Sequence, residues 1–260
     1  MGSAPMVRWR RTRVSAKNYA VVAVAGTLAV GAVSIPAAPA HAADPITAAD
    51  QAYFAYYGLD QARAKGYTGK GITVAIIDGK VDASISELAG ADVTVKSPCT
   101  IYSSPGSTTH GTGVASILVS PNYGVAPEAS LIAYPMTAGL AGDKSGTDCG
   151  GSGSADKDSQ PWLLNWAMND GAQIINLSAS SSYSGAQMKW VIARAMSSGV
   201  ILVSSAGNDS DDANEDHLSK WSGVVGVTAI SVDGNRQDYS SWGQGVVTTT
   251  IGGPVLFRNL

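Results

Sequence analysis

Six short runs, most of them near-continuous in Val, Ile, Leu and Ala, constrain the fold of this chain more than any other feature. They are separated by stretches long enough for helices, and most lack the polar–apolar alternation of a half-exposed strand. Near-continuous apolar strands are expected where both faces of a parallel sheet are covered. The sequence therefore predicts an α/β fold with a doubly wound, mostly parallel sheet and helices on both faces. The predicted strands are 72–77, 130–134, 173–178, 200–205, 224–230 and 246–251.

Two of the intervening stretches carry helix boundaries as well as sufficient length. One helix is predicted over 161–170, because Pro161 suits a first helical turn and Gly171 suits a helix end. The other is predicted over 185–198 and ends at Gly199. Its apolar residues recur at helical spacing, which predicts one buried face. That face comprises Met188, Val191, Ile192, Ala195 and Met196.

The first 42 residues have the composition of a secretory signal peptide. A positively charged start precedes the uncharged apolar run 20–35, and Ala40-His41-Ala42 follows as a small-residue cleavage site. A membrane anchor is the alternative, but sixteen residues fall short of the roughly 20 that a spanning helix needs. We therefore expect residues 1–42 to be removed on export and residues 43–260 to form a secreted, extracellular domain. The positive residues are Arg8, Arg10, Arg11, Arg13 and Lys17.

The charge balance changes when the leader is removed. The whole chain has 17 basic and 20 acidic residues, and the leader holds five of the basic ones and none of the acidic ones. The remaining domain has 12 basic residues against 20 acidic ones, a net charge of −8. Such a domain has no electrostatic attraction for nucleic acid or for an anionic membrane. We expect protein or peptide partners, a mature chain that is not embedded in a membrane, and a monomer.

The sequence has two cysteines, Cys99 and Cys149. In an oxidising compartment an even pair predicts one disulfide bond, and two unpaired thiols are the alternative. Two cysteines without a nearby histidine fall short of the four ligands of a structural zinc site. We therefore interpret the pair as a disulfide and predict no zinc.

The acidic run 209–216 is the one segment that suggests a metal ion. Its carboxylates could offer oxygen ligands to calcium, but their spacing matches no calcium-loop signature. A solvated surface loop is the interpretation we favour for this run and for the Gly/Ser/Asp-rich stretch 141–160. The sequence thus predicts no metal site and no required cofactor. The carboxylates considered are Asp209, Asp211, Asp212 and Asp216.

Three polar residues follow apolar runs or small-residue turns in a pattern that suggests catalysis. Asp78 follows the run 72–77, His110 begins a His-Gly-Thr sequence, and Asn208 follows the run 200–205 and an Ala-Gly turn. A neutral imidazole can take a proton from an attacking hydroxyl, and a carboxylate can fix its tautomer and stabilise the imidazolium. A side-chain amide can donate to the oxyanion that forms next. In a doubly wound sheet such groups lie at the carboxyl ends of the strands.

These motifs, in this order, resemble the subtilisin-like serine proteases (peptidase family S8) over roughly residues 53–254. Asp78 and His110 are 32 residues apart, the same spacing as in the subtilisins. Six segments resemble family motifs: the aspartate strand 74–78, the histidine helix from 110, the turn 124–129, the substrate-binding strand 174–178, the oxyanion segment 206–208 and the segment 239–243 that leads toward the serine.

The resemblance implies a role for each matching residue. Asp78 would orient the imidazole, His110 would act as general base and acid, and Asn208 would donate to the oxyanion. The first specificity pocket would be bordered by Ser178, Ala179 and Ser180, with Ser205 and Gly207 opposite.

Several residues depart from the family pattern. Gly79 follows the aspartate where the family usually has Ser or Thr, and Lys80 is unexpected after it. Gly113 and Ser116 stand where many members have His and Gly. Ser180 replaces a usual Gly, and its side chain is expected to crowd the pocket.

The family's nucleophilic serine lies roughly 65 residues beyond the oxyanion asparagine, in a Gly-Thr-Ser-x-Ala-x-Pro motif. Counted from Asn208, that position falls after Leu260. The resemblance therefore implies a serine endopeptidase that is incomplete at its C-terminus, with its nucleophile beyond this chain. The similar sequence at 151–155 lies out of family order and is interpreted as a loop. We expect the chain alone to be inactive, and isolated 43–260 to fold poorly because one sheet face is uncovered.

Two other classes of protein compete with this interpretation. A truncated, inactive pseudoprotease would bind peptides without cutting them, and the intact set of Asp78, His110 and Asn208 argues against it. A doubly wound domain that binds a small ligand would have a glycine-rich phosphate loop at a first strand–helix turn. The sequence has no such loop, so the secreted endopeptidase is the interpretation we favour.

Overall fold

A seven-stranded sheet, parallel throughout, forms the centre of this computed structural model. The structure describes a compact unit within Ala43–Leu260. Its described residues are 45–136, 146–147, 159–178, 185–212, 217–253 and 255–258. The predicted leader, residues 1–42, lies outside them. No described helix is long and apolar enough to cross a membrane.

Three described α-helices separate the strands in the middle of the chain, between residues 105 and 205. The strands are β1 (Thr73–Asp78), β2 (Val93–Val95), β3 (Ile101–Tyr102), β4 (Ser130–Pro135), β5 (Gly146–Thr147), β6 (Ile174–Leu177), β7 (Ile201–Ser205), β8 (Val224–Ile230) and β9 (Val246–Ile251). The α-helices are α1 (Ala52–Tyr56), α2 (Leu59–Ala64), α3 (Pro105–Val119), α4 (Gln160–Asn169) and α5 (Ala186–Ser197). The sheet order is β2-β4-β1-β6-β7-β8-β9, and β3 pairs antiparallel with β5.

The predicted α/β fold is confirmed, and all six predicted strands are present to within one residue at either end. The predicted helices 161–170 and 185–198 correspond to α4 and α5. Both helices are followed by a glycine in the left-handed conformation, Gly171 at φ 85° and Gly199 at φ 70°. Strands β2, β3 and β5 were not predicted, because two or three residues are too few to show a period.

Strand β1 shows why these strands are apolar throughout. Val74 and Ile76 belong to a buried cluster that includes residues of α3, whereas Ala75 and Ile77 belong to a second cluster with residues of α4 and α5. Consecutive side chains of a strand point to opposite faces of the sheet. Because helices cover both faces, all four residues are at most 5% exposed.

Helix α5 buries four of the five residues predicted for its apolar face, and the prediction for the fifth is wrong. Met188, Val191, Ile192 and Ala195 are buried, but Met196 is 56% exposed. Met196 lies in the last turn, where its side chain reaches Gly223 in the loop before β8. The helical period identified the correct face, but it could not show where the sheet beneath the helix ends.

A mostly apolar cavity of about 800 Å³ opens on the α3 side of the sheet. On β7, Leu202 packs into the cluster with α4 and α5, while its neighbour Val203 lines the cavity. Residues of β8 and β9 continue the same wall, α3 forms a second wall, and Tyr53 and Tyr57 close another side. The carboxyl ends of β6 and β7 open into this cavity.

Candidate active site

Asp78 and His110 contact each other at the carboxyl end of β1. Asp78 is the last residue of the strand and is 1% exposed. His110 lies in the second turn of α3, and its Nδ1 is 2.6 Å from Asp78 Oδ1. The same oxygen accepts a hydrogen bond from the backbone N–H of Gly79 at 2.6 Å. Two donors therefore converge on one carboxylate oxygen and orient the carboxylate toward the imidazole.

This contact sets the protonation behaviour of His110. Its hydrogen bond with Asp78 raises the pKa of His110 above the ordinary value, against the opposing effect of burial, and the carboxylate charge adds to the increase. With Nδ1 held by Asp78, the neutral ring carries its proton on Nδ1 and can accept another on Nε2. Among the described residues, no serine hydroxyl hydrogen-bonds to the ring. The Asp78–His110 pair can therefore take a proton from a hydroxyl group that lies within hydrogen-bonding distance of Nε2.

Two glycines allow α3 to approach the end of β1 closely enough for this contact. A Cβ atom on residue 79 would lie 2.0 Å from the carbonyl oxygen of Ser107. One on residue 111 would lie 2.3 Å from the carbonyl oxygen of Gly79. Neither position has room for a side chain, so the backbones of helix and strand end meet directly. The start of α3 is held by Ser104, whose hydroxyl oxygen accepts a hydrogen bond from the Ser107 N–H.

Asn208 follows β7 by three residues and lines the same cavity as His110. Gly207, before it, has φ 105°, a conformation that residues with side chains rarely adopt. Asn208 is exposed, and no group in the described part of the chain hydrogen-bonds to its side-chain amide. The amide is therefore available to donate to an oxyanion formed in the cavity.

The residues predicted to border the specificity pocket meet where β6 and β7 end. The Ser205 hydroxyl donates to the carbonyl oxygen of Ser178 at 3.3 Å, and the Asn176 amide donates to the Ser178 hydroxyl at 2.7 Å. Ala179 and Ser180 lie outside the described residues. The predicted site residues that line the cavity together are His110, Ser178, Ser205, Gly207 and Asn208.

Two further predictions concern loops away from the catalytic pair. Cys99 is disulfide-bonded, and its predicted partner Cys149 lies outside the described residues. In the acidic run, Asp212 forms an ion pair with Lys220 at 3.3 Å, and Asp216 lies outside the described residues. In the part of the chain that the structure describes, no three acidic, histidine or cysteine side chains form a cluster that could hold a metal ion.

Sequence reasoning missed the aromatic side chains around the cavity. They are Tyr53 in α1, Tyr57 directly after that helix, and Phe257, and they line the cavity together with His110. Phe257 packs against Gly113, where a Cβ atom would lie 3.1 Å from the ring. No local motif marks these residues, because they reach the site only through the tertiary fold.

An aspartate–histidine pair and an asparagine beside the carboxyl ends of parallel strands is the arrangement of α/β serine peptidases. The model of the subtilase family, Peptidase_S8, matches residues 69–254, and the chain belongs to that family. The resemblance identified from the motifs is thereby confirmed.

Individual relatives agree with this assignment. The chain is 30% identical to Subtilisin E of Bacillus subtilis over 205 residues, which cover 72% of this chain and 49% of that protein. It is 29% identical to a subtilisin of Bacillus pumilus, covering 72% of this chain and 68% of that protein. The chain thus spans about half the length of Subtilisin E.

Solved structures show the same fold. The prenylagaramide maturation protease PagA is 29% identical, with a TM-score of 0.56 and coverage of 72% of this chain and 64% of that one. A cold-adapted subtilisin-like serine proteinase is 21% identical, with a TM-score of 0.53 and coverage of 71% and 64%. At 21% identity, the likeness to the cold-adapted proteinase shows only that the two proteins share a fold.

Proposed function

We propose that this chain is the front part of a secreted serine endopeptidase that hydrolyses peptide bonds in proteins or peptides. The observation that carries the proposal is the 2.6 Å contact between Asp78 and His110 beside an open cavity. Membership of the subtilase family supports the reaction class. The leader composition of residues 1–42 supports export, and the acidic charge of the remaining domain supports a protein or peptide substrate.

The described residues would divide the reaction among them. His110 would take the proton of a serine hydroxyl as that oxygen attacks the peptide carbonyl carbon, and would then give the proton to the leaving amine. Asp78 would stabilise the imidazolium formed between these steps. Asn208 would donate to the negative carbonyl oxygen of the tetrahedral intermediate. Water would hydrolyse the resulting acyl-enzyme by the same sequence of proton transfers.

The cavity supports a nucleophile supplied by sequence that follows residue 260. It lies against His110 and Asn208, and its walls on α3, β8 and β9 are mostly apolar. An apolar space of about 800 Å³ beside a catalytic pair suits a packed helix that would bring a serine to His110 Nε2. The coverage of about half of Subtilisin E agrees with a longer protein.

A fluorophosphonate probe tests the proposal, because it labels a serine only where a base activates it. The protein from the complete reading frame is treated with the probe, digested and analysed by mass spectrometry. We expect one labelled serine beyond residue 260, together with hydrolysis of a peptide substrate. His110→Ala should lose both, whereas Thr108→Ala, two residues earlier on α3, should keep both.

Two results would overturn the proposal. A cooperatively folded protein that takes up no label and binds peptides without cleaving them would be a pseudoprotease. Labelling that persists in His110→Ala would mean that another group activates the serine. Thermal unfolding of each variant separates these outcomes from simple loss of the fold.

A further inference from the structure

Two buried polar atoms near the catalytic pair lack a partner, and their chemistry is complementary. Asp78 Oδ2 is buried without a hydrogen-bond partner, because both donors to this carboxylate go to Oδ1. The hydroxyl oxygen of Ser107 is also buried without a partner. Both residues are 1% exposed. A buried carboxylate oxygen and a buried hydroxyl group are each costly alone, and together they form an acceptor and a donor.

Gly79 adjoins both residues. It directly follows Asp78, and a Cβ atom on it would lie 2.6 Å from the Ser107 hydroxyl oxygen. The Ser107 hydroxyl thus occupies the space that a side chain at residue 79 would need. A substitution at residue 79 could not provide a hydroxyl for Asp78, because the same Cβ atom would lie 2.0 Å from the Ser107 carbonyl oxygen.

We infer that Ser107 is a positioning residue whose hydroxyl donates to Asp78 Oδ2, directly or through one buried water. The bond holds the carboxylate oxygen that the Gly79 N–H leaves unpaired. It also takes up part of the negative charge that otherwise acts on His110 and on the Gly79 N–H. Ser107 replaces, from the neighbouring helix, the hydroxyl that the family usually carries directly after its aspartate. Only the kinetic measurement, the pH profile of peptide hydrolysis, rests on the proposed function.

The test compares substitutions that keep or remove the donor in the full-length protein. Ser107→Ala removes it, Ser107→Cys keeps a similar volume with a weak donor, and Ser107→Thr restores a hydroxyl. Ser116→Ala is the matched control on the same helix, because Ser116 is equally buried and its hydroxyl bonds to the Gly113 carbonyl oxygen instead. The readouts are the His110 titration followed by NMR and the pH profile of kcat/KM for a peptide substrate.

Without the donor, the carboxylate interacts more strongly with the imidazolium, so the titration of His110 should move to higher pH in Ser107→Ala and Ser107→Cys. The acid limb of kcat/KM should move with it, and kcat/KM should fall about tenfold. Ser107→Thr and Ser116→Ala should resemble the wild type. Asp78 is the charged group that shifts the pKa of His110 among the described residues, so no other charge should mask the change.

Two results would overturn the inference. An unchanged His110 titration in folded Ser107→Ala would show that the hydroxyl does not act on Asp78. A wild-type profile for Ser107→Cys beside an altered one for Ser107→Ala would show that volume matters and the donor does not. The titration is measurable even in a protein that hydrolyses nothing, so failure of the proposed function leaves this test intact.

Discussion

Replacing Asp78 by Asn tests the site most directly, because the structure predicts an intermediate loss of activity. The Gly79 N–H and the His110 Nδ1–H both donate to Oδ1. The Asn carbonyl oxygen should take the place of Oδ1, since an amide NH₂ group there would face two donors. The imidazole should therefore keep its productive tautomer and lose only the charge that stabilises the imidazolium.

The size of that loss follows from the geometry. Opposite charges about 4 Å apart interact by about 4 kcal/mol at an effective dielectric constant of 20. The His110 side chain is 41% exposed, so solvent screening reduces this to about 3 kcal/mol. That energy corresponds to about a hundredfold fall in kcat/KM. A donating amide at Oδ1 would instead impose the wrong tautomer and lower kcat by about 10⁴-fold.

The same substitution should change how stability depends on pH. The pKa of His110 is raised in the folded protein, so its pairing with Asp78 stabilises the fold below the ordinary pKa and is lost as pH rises through the folded one. D78N should therefore unfold at a lower temperature than the wild type at pH 5.5, and the difference should shrink at pH 8. Without bound substrate, solvent screens the exposed His110 ring more strongly than in the transition state, so we expect about 1 kcal/mol at acid pH, a fall of about 2–4 °C in melting temperature.

Peptide hydrolysis and circular-dichroism melts at the two pH values measure these effects. Asp82→Asn is the matched control, because the Asp82 carboxylate bonds to Ser84 and lies outside the Asp78–His110 contact. It should leave kcat/KM and the pH dependence unchanged. A loss of 10⁴-fold or more in D78N, or a melting difference that is the same at both pH values, would refute the reasoning.

Two further substitutions test the packing around the site. Arg258→Met should lower the midpoint of urea unfolding at pH 7, because Glu87 is 2% exposed and loses its charged partner. The effect should fade as acid protonates Glu87, whose pKa Arg258 lowers. A pH-independent effect would mean that the pair contributes only contacts. Leu163→Ala should cost about 3 kcal/mol at a fully buried position, whereas Trp190→Ala, at a residue 76% exposed, should cost less than about 0.5 kcal/mol. Similar losses for the two would contradict the assigned core.

The sequence predicted the elements of the fold better than their arrangement. The run 72–77 indicated a strand because burial on both faces demands continuous apolar residues. The spatial order of the sheet leaves no trace in such runs, since each one is compatible with several neighbours. Strand β2, with three residues and two of them exposed, carried too little pattern to be recognised.

For the site, the sequence predicted the chemical groups but not their supports. Asp78, His110 and Asn208 were identifiable because each follows or begins a characteristic short segment. The role inferred for Ser107 was not identifiable from the sequence. It depends on the position of the Ser107 hydroxyl oxygen, which lies 2.6 Å from where a Cβ atom on residue 79 would be. Gly79 was recognised as a departure from the family pattern. The reason for a glycine there is the backbone of α3 packed against it, which only the structure shows.

The groups proposed to act in catalysis lie together because the register of the sheet aligns the ends of strands that are distant in sequence. β1, β6 and β7 are neighbours, with Val74 opposite Ile174 and Ile174 opposite Ile201. A slip of β1 by one residue would move Val74 and Ile76 to the face that Ala75 and Ile77 occupy, against a differently shaped cluster. It would also carry Asp78 about 3.3 Å along the strand, beyond hydrogen-bonding reach of His110. Burial of both faces of β1 therefore holds the catalytic pair in register, and core substitutions in this strand should affect activity as well as stability.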